Sequence, residues 1–284
     1  MRRIVLGCAL VACLSATGAG RAAPIPRAET AHSGQVTAEL TYLLDDAAQD
    51  FRQRFTHLHL RIRRGDAVLA DVDVQPLCPG CAAWPASGGA ADASSVSVSD
   101  LEGDGEPEVL LDLYTGGAHC CVYTTFFRFA SGAYVRRVHS WGNPGYRLRD
   151  LGSDGRLELV TGDDRFNYAF SCYACSAVPV LVQRYEQGRL VNVTRSFPRA
   201  IRADATRIWS GYRRAVRTRA YPDGALPAYL ADQYLLGREK AGWARVRAAV
   251  ARHDWPSMVD GRWRNRARYL AAVRRFLIRT GYVS

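Results

Sequence analysis

Nine residues, "DLEGDGEPE" from Asp100 to Glu108, hold five carboxylates and two glycines. A related stretch, "DLGSDGRLE", runs from Asp150 to Glu158. Carboxylates on alternate residues of a short loop suit calcium, which takes six to eight oxygen ligands at about 2.3–2.6 Å. In the first loop Asp100, Glu102 and Asp104 fall at positions one, three and five, and Glu108 closes the set. Glu106 can add its backbone carbonyl, and Gly105 permits the sharp reversal that folds the donors inward. The second loop offers Asp150, Asp154 and Glu158, with Arg156 supplying the carbonyl along with an unhelpful positive charge. Gly152 removes the third-position ligand. Calcium is therefore expected at the first loop and more weakly at the second.

The spacing is not that of an EF-hand, because Leu111 stands where a bidentate glutamate should close the loop and the flanks read as strands. It resembles the FG-GAP or VCBS repeat, the blade unit of integrin-alpha-like β-propellers. In that family an acidic loop, Asp-x-Asp-x-Asp-Gly-x-x-Asp/Glu, joins two blade strands and binds calcium. "DLEGDGEPEVLL" is close to that pattern, with Glu102 for the usual Asp or Asn, and "DLGSDGRLELV" departs from it at Gly152. The likeness covers Val98 to Val193 and implies propeller-blade-like antiparallel sheets. Too few residues are present for a full ring of four or more blades, so an open or incomplete assembly is as natural as closure. The segment "DLYTGGAHCC" also resembles uncharacterised secreted bacterial proteins, a likeness that brings no known activity.

Cysteines supply the other candidate chemistry. Cleavage of a leader after Ala22 leaves Cys78, Cys81, Cys120, Cys121, Cys172 and Cys175, an even set that suits disulfides in an exported protein. Cys172 and Cys175 are expected to pair locally. The pairing of Cys78, Cys81, Cys120 and Cys121 stays open between local closure and a cross-link to the adjacent pair. A zinc knuckle from Cys78, Cys81, Cys121 and His119 has permissible ligands, but an oxidising compartment disfavours it. Asp112, Asp163 and Asp164 could serve a secreted hydrolase with a carboxylate site at the blade loops, the alternative to a noncatalytic module.

The elements that must position these residues change character along the chain. Residues 36–195 show period-two apolar alternation, as in Leu58, Leu60 and Ile62 followed by Val68, Ala70 and Val72 about the Gly65 turn. Strands are also expected at 95–99, 108–114, 123–129, 133–138, 157–162, 178–185 and 189–193. Two matched hairpins should turn at Ser131-Gly132 and Gln187-Gly188. Residues 196–284 change to helical spacing. One helix is expected to place Trp243, Val246 and Val250 on one face, and another Trp263, Ala267, Leu270, Val273 and Leu277, with Asp260 as cap and Gly281 as stop. The fold class is α+β, a mainly-β N-terminal unit followed by an α-helical C-terminal unit.

Charge divides at the same boundary. Residues 36–195 hold 15 basic and 20 acidic side chains, whereas residues 196–284 hold 19 and 6. Such a basic unit is expected to contact an anionic envelope polymer or lipid headgroups, and no motif points to nucleic acid. Residues 1–22, two arginines before an apolar run, read as a signal peptide, with a lipid anchor at Cys13 as the alternative. Residues 23–35 read as a tether. The mature chain has no apolar run of spanning length, and the protein is expected to be secreted or to lie in the periplasm or cell envelope.

Overall fold

The structure, a computed structural model, describes residues 22–75, 83–86, 94–117, 120–252, 263 and 265–283. The leader, Cys13, Cys78, Cys81, His119 and Asp260 lie outside the described residues. Three open antiparallel sheets are followed by four helices, and no closed propeller forms among the described residues. The first sheet is a meander of β1 (Ile25–Ser33), β2 (Val36–Leu44), β3 (Phe55–Arg64) and β4 (Ala67–Asp73). The second holds β5 (Trp84–Pro85), β6 (Val96–Ser99), β7 (Glu108–Tyr114), β8 (Val122–Ala130) and β9 (Ala133–Gly142). The third is again a meander, of β10 (Arg147–Arg149), β11 (Glu158–Gly162), β12 (Val180–Glu186) and β13 (Arg189–Asn192).

Strand β7 shows why the sheets stack. Its Val109, Leu111 and Leu113 join Leu40, Leu60 and Ile62 in a core shared with the first sheet. Its Leu110 joins Phe126, Trp141, Leu159 and Tyr185 in a core shared with the third. Alternate side chains of one strand thus face opposite neighbours, as the pleat requires. Both hairpins turn where expected, with Ser131 and Gly132 at φ 53° and 86°, and Gln187 and Gly188 at φ 49° and 76°. Two successive positive φ values match the right-handed twist of the flanking strands.

The helical unit consists of α1 (Pro198–Arg217), α2 (Ala225–Leu235), α3 (Glu239–Arg252) and α4 (Arg266–Arg279). Pro198 opens α1, where its missing N–H costs nothing. Nine consecutive residues of α2, Ala225 to Gln233, are buried, and Phe166 and Phe170 from the loop after β11 complete its core. No helix among the described residues is long and apolar enough to cross a membrane.

Two expectations are corrected, and one further strand is added. The stretch read as a tether, 23–35, contains β1, every residue of which pairs with β2. It lacks an apolar stripe because its anchorage is polar: Glu29 accepts from Tyr42 Oη, Ser94 Oγ and the Ser95 amide. The last helix starts later than expected, capped by Asn265, whose side chain accepts from the Arg268 amide at 2.9 Å. Its inward stripe is Tyr269, Val273, Phe276 and Leu277, whereas Ala267 is exposed and Trp263 precedes the helix. Finally, the short strand β10 completes the third sheet where the sequence pattern is too brief to register.

Candidate functional site: two acidic loops

The loops lie in equivalent places, between β6 and β7 and between β10 and β11. Their backbones are tied by largely matching hydrogen bonds, with one more, from the Gly103 amide, in the first loop. Asp100 Oδ1 accepts from Gly103 and Asp104 amides at 2.6 and 3.2 Å, and its Oδ2 from Gly105 at 2.8 Å. Asp150 accepts from Asp154 and Gly155 amides at 3.1 and 3.0 Å. Asp104 takes the Glu106 amide at 3.0 Å and Asp154 takes that of Arg156 at 3.1 Å. The closing glutamates reach back alike, Glu108 to the Leu101 amide at 3.1 Å and Glu158 to that of Leu151 at 2.9 Å. Gly105 and Gly155 sit at φ 85° and 81°, where a Cβ would be strained.

The charges are handled differently. Each β-hairpin carries an arginine three residues before its turn, Arg128 in one and Arg184 in the other. Arg184 lies on the fully buried Glu158, with Nη2 and Nε at 2.7 and 2.8 Å from Oε1, and Nη2 is 3.7 Å from Asp154. Arg128 instead holds Glu102, at 3.2 and 3.4 Å, and Glu102 also accepts the Gly188 amide at 3.1 Å. Glu108 is equally buried but makes no ion pair among the described residues. Burial, followed by the crowding of Glu102 and Asp104, pushes its carboxyl up to about 7. Gly152 explains the divergence: with no acid at that position, Arg184 is left to turn inward.

The first loop's donor set suits a hard cation. Asp100, Asp104 and Glu108 with the Glu106 carbonyl are all oxygens, and Asp100 has already folded the backbone round. Glu102 and Glu106 point to arginines, Arg128 and Arg64, so no group of three acidic, histidine or cysteine side chains converges as a finished metal cage among the described residues. The loops are also neighbours, since a Cβ on Gly103 would lie 3.1 Å from Arg156 Cγ. In the second loop Arg184 occupies the acidic centre that Asp154 and Glu158 would offer alongside Asp150.

The three carboxylates considered for hydrolysis are not brought together with free oxygens. Asp112 accepts from Thr124 Oγ1 at 2.5 Å and from Tyr146 Oη at 3.0 Å. Asp163 is buried against Arg165, with Nη2 at 2.6 Å, and accepts Tyr282 Oη at 3.0 Å. Asp164 anchors Asn143 and Asn167. Cys172 and Cys175 are bonded, with Cα atoms 5.0 Å apart, and Cys120 is bonded to Cys121 across a cis peptide.

A buried carboxyl that the sequence reading missed lies between α1 and the third sheet. Asp232 is fully buried, and among the described residues neither oxygen meets a hydrogen-bond donor. Burial, then the neighbouring Asp204, pushes it up to about 9, so it holds a proton at neutral pH. Asp204 meanwhile accepts the Val180 amide at 2.9 Å and pairs with Arg207. Nothing in "LADQYLL" could have marked Asp232, because its partner comes from another helix.

Residues 201–281, the span of the four helices, match the family described as the sll0997 C-terminal domain. The chain is 30% identical over 204 residues to the probable thylakoid lumen protein sll0997 of Synechocystis sp., a stretch covering 66% of this chain and 60% of that protein. It is 28% identical over 159 residues to the uncharacterized protein y4bJ of Sinorhizobium fredii, covering 54% of this chain and 25% of the other. The chain thus spans less than two thirds of the length of either relative. No solved structure matches it.

Proposed function

We propose that this is an exported, noncatalytic calcium-binding module of the bacterial cell envelope or exterior, with a basic helical unit, residues 196–284, that contacts anionic polymer or surface. The observation that carries the calcium reading is Glu108, a buried carboxylate without an ion pair among the described residues, beside Glu102 and Asp104 on a backbone already curled by Asp100. A calcium ion would supply the positive charge that Arg184 supplies in the other loop. Asp100, Asp104, Glu108 and the Glu106 carbonyl would hold it, with Glu102 joining if it exchanges Arg128 for the metal. At the second loop, Asp150, Asp154, Glu158 and the Arg156 carbonyl would bind more weakly, because the ion must displace Arg184.

Residues 36–195 are read as a unit of blade-like sheets. Support comes from the second and third sheets, each carrying its acidic loop immediately before a central strand and ending in the same hairpin. The relative named as a thylakoid lumen protein supports a compartment across a membrane from the site of synthesis. Calorimetric titration of the mature protein with calcium tests the site. Heat saturating at one ion per chain, lost in Asp104→Ala, is expected. Absence of heat at millimolar calcium would remove the calcium reading.

A further inference from the structure

The net charge of the helical unit understates its surface. Of its acids among the described residues, Asp223 and Asp232 are fully buried, and Asp204 is largely covered and paired with Arg207. Among the described residues, only Glu239 is left to offset the outer arginines of α1 and α3. Those arginines are not scattered. Two adjoining hollows of about 350 and 420 Å³ run between the two helices and share Trp209, Arg213 and Arg245. Arg202, Arg213 and Arg217 line the α1 side, while Arg238, Arg245 and Arg252 line the other. All six are exposed, and among the described residues none forms an ion pair and no carboxylate lines either hollow.

The groove is long and partly preorganised. Arg202 and Arg217 are fifteen residues apart on one helix, so the row extends about 22 Å at 1.5 Å per residue. Arg245 is pinned over the Trp209 ring, 4.1 Å from its centroid, which lowers the entropy lost when it grips an anion. Guanidinium groups bind carboxylates and sulfates through paired N–H donors. The floor rings are covered, with Trp209 at 9%, Tyr229 at 5% and Tyr212 at 3% exposure, so they offer no platform for stacked bases. No large apolar side chain is exposed on α1 or α3, so nothing there would enter a lipid layer.

We infer that the α1–α3 groove is a binding site for an extended anionic polysaccharide. This deepens the proposed role of the basic unit and rests on it, but is independent of calcium. The test uses the full mature chain with polygalacturonate and heparin oligosaccharides, phosphatidylglycerol vesicles and poly(A) as probes. The triple variant Arg202→Gln, Arg213→Gln, Arg217→Gln is compared with Arg268→Gln, Arg274→Gln, Arg275→Gln, an equal charge loss on the exposed face of α4. Melting curves establish that both variants fold.

Glycan affinity should fall about tenfold or more in the groove variant, with a shallower salt dependence, and only about twofold in the α4 variant. Equal losses would remove the groove while leaving a diffuse basic contact. Tighter binding to vesicles or poly(A) than to glycan would overturn the ligand class. Failure of the unmodified protein to bind any of the four probes would remove both the groove and the broader reading.

Discussion

The two acidic loops share a backbone and differ in how they neutralise a buried glutamate. Glu158 has a guanidinium folded onto it, whereas Glu108 has none among the described residues. One residue decides the matter, for Glu102 draws Arg128 away from the loop centre and Gly152 leaves Arg184 nowhere else to go. A repeat can therefore keep its turn geometry while changing the charges around it, so the hydrogen-bond pattern alone does not reveal how each copy's glutamate is balanced.

The sharpest way to break that comparison is to remove the internal cations. Arg184→Gln should destabilise the protein by about 3–5 kcal/mol, because it strands a buried carboxylate. Arg128→Gln should cost about 1–3 kcal/mol, since Glu102 keeps the Gly188 amide. Urea unfolding measures both, and equal costs would mean that the loops are not distinguished by their arginines. Calcium comes next in size. At 100 times its dissociation constant it adds about 2.7 kcal/mol, seen as a rise in Tm that Asp104→Ala largely abolishes and Asp154→Ala barely alters. In Arg184→Gln the calcium-induced rise should grow, as the second loop becomes a site; an unchanged rise would show that Arg184 was not blocking the metal.

A third buried carboxyl extends the comparison, because Asp232 is neutralised by a proton. Its raised value means the folded chain keeps a proton that the unfolded chain releases above the ordinary aspartate value of 3.8. Stability should therefore fall as pH rises from about 4 towards 9 and level off beyond. Asp232→Asn removes this dependence and should stabilise by about 1–2 kcal/mol at pH 8, with less gain at pH 5. Thermal melts across that range decide it, and a gain independent of pH would show that the proton is not held there. The smallest effect should be shared: Gly105→Ala and Gly155→Ala each strain a positive φ and cost about 1–2 kcal/mol. Unequal losses would mean the backbones are less alike than their hydrogen bonds.

Much of the β unit was legible because its signals are local. Alternation at Leu58, Leu60 and Ile62 and the Ser131-Gly132 and Gln187-Gly188 turns each lie within a few residues. What escaped was decided at a distance. β1 is held by Glu29 reaching Ser95, and the register of α4 follows from Tyr269 and Phe276 meeting Phe170. Helix α2 was hidden for the opposite reason, since burial all round leaves no polar face to set a period. At the loops, the ligand types could be read from spacing. The decisive arginines could not, because Arg128 and Arg184 lie 26 residues from the carboxylates they hold.

The meander order of the sheets has a consequence for how the chain assembles. Apart from the β5–β7 pairing, every strand pairs with its immediate predecessor or successor, so little chain must be threaded back. A polypeptide emerging N-terminus first, from a ribosome or a pore, can complete the first sheet before the second has appeared, and the second before the third. Tyr282 donates to Asp163 across 119 residues, a contact that must wait for the last turn of α4. Assembly of the sheets is thus local and sequential, whereas the Tyr282–Asp163 contact, just past β11, forms only once α4 is in place.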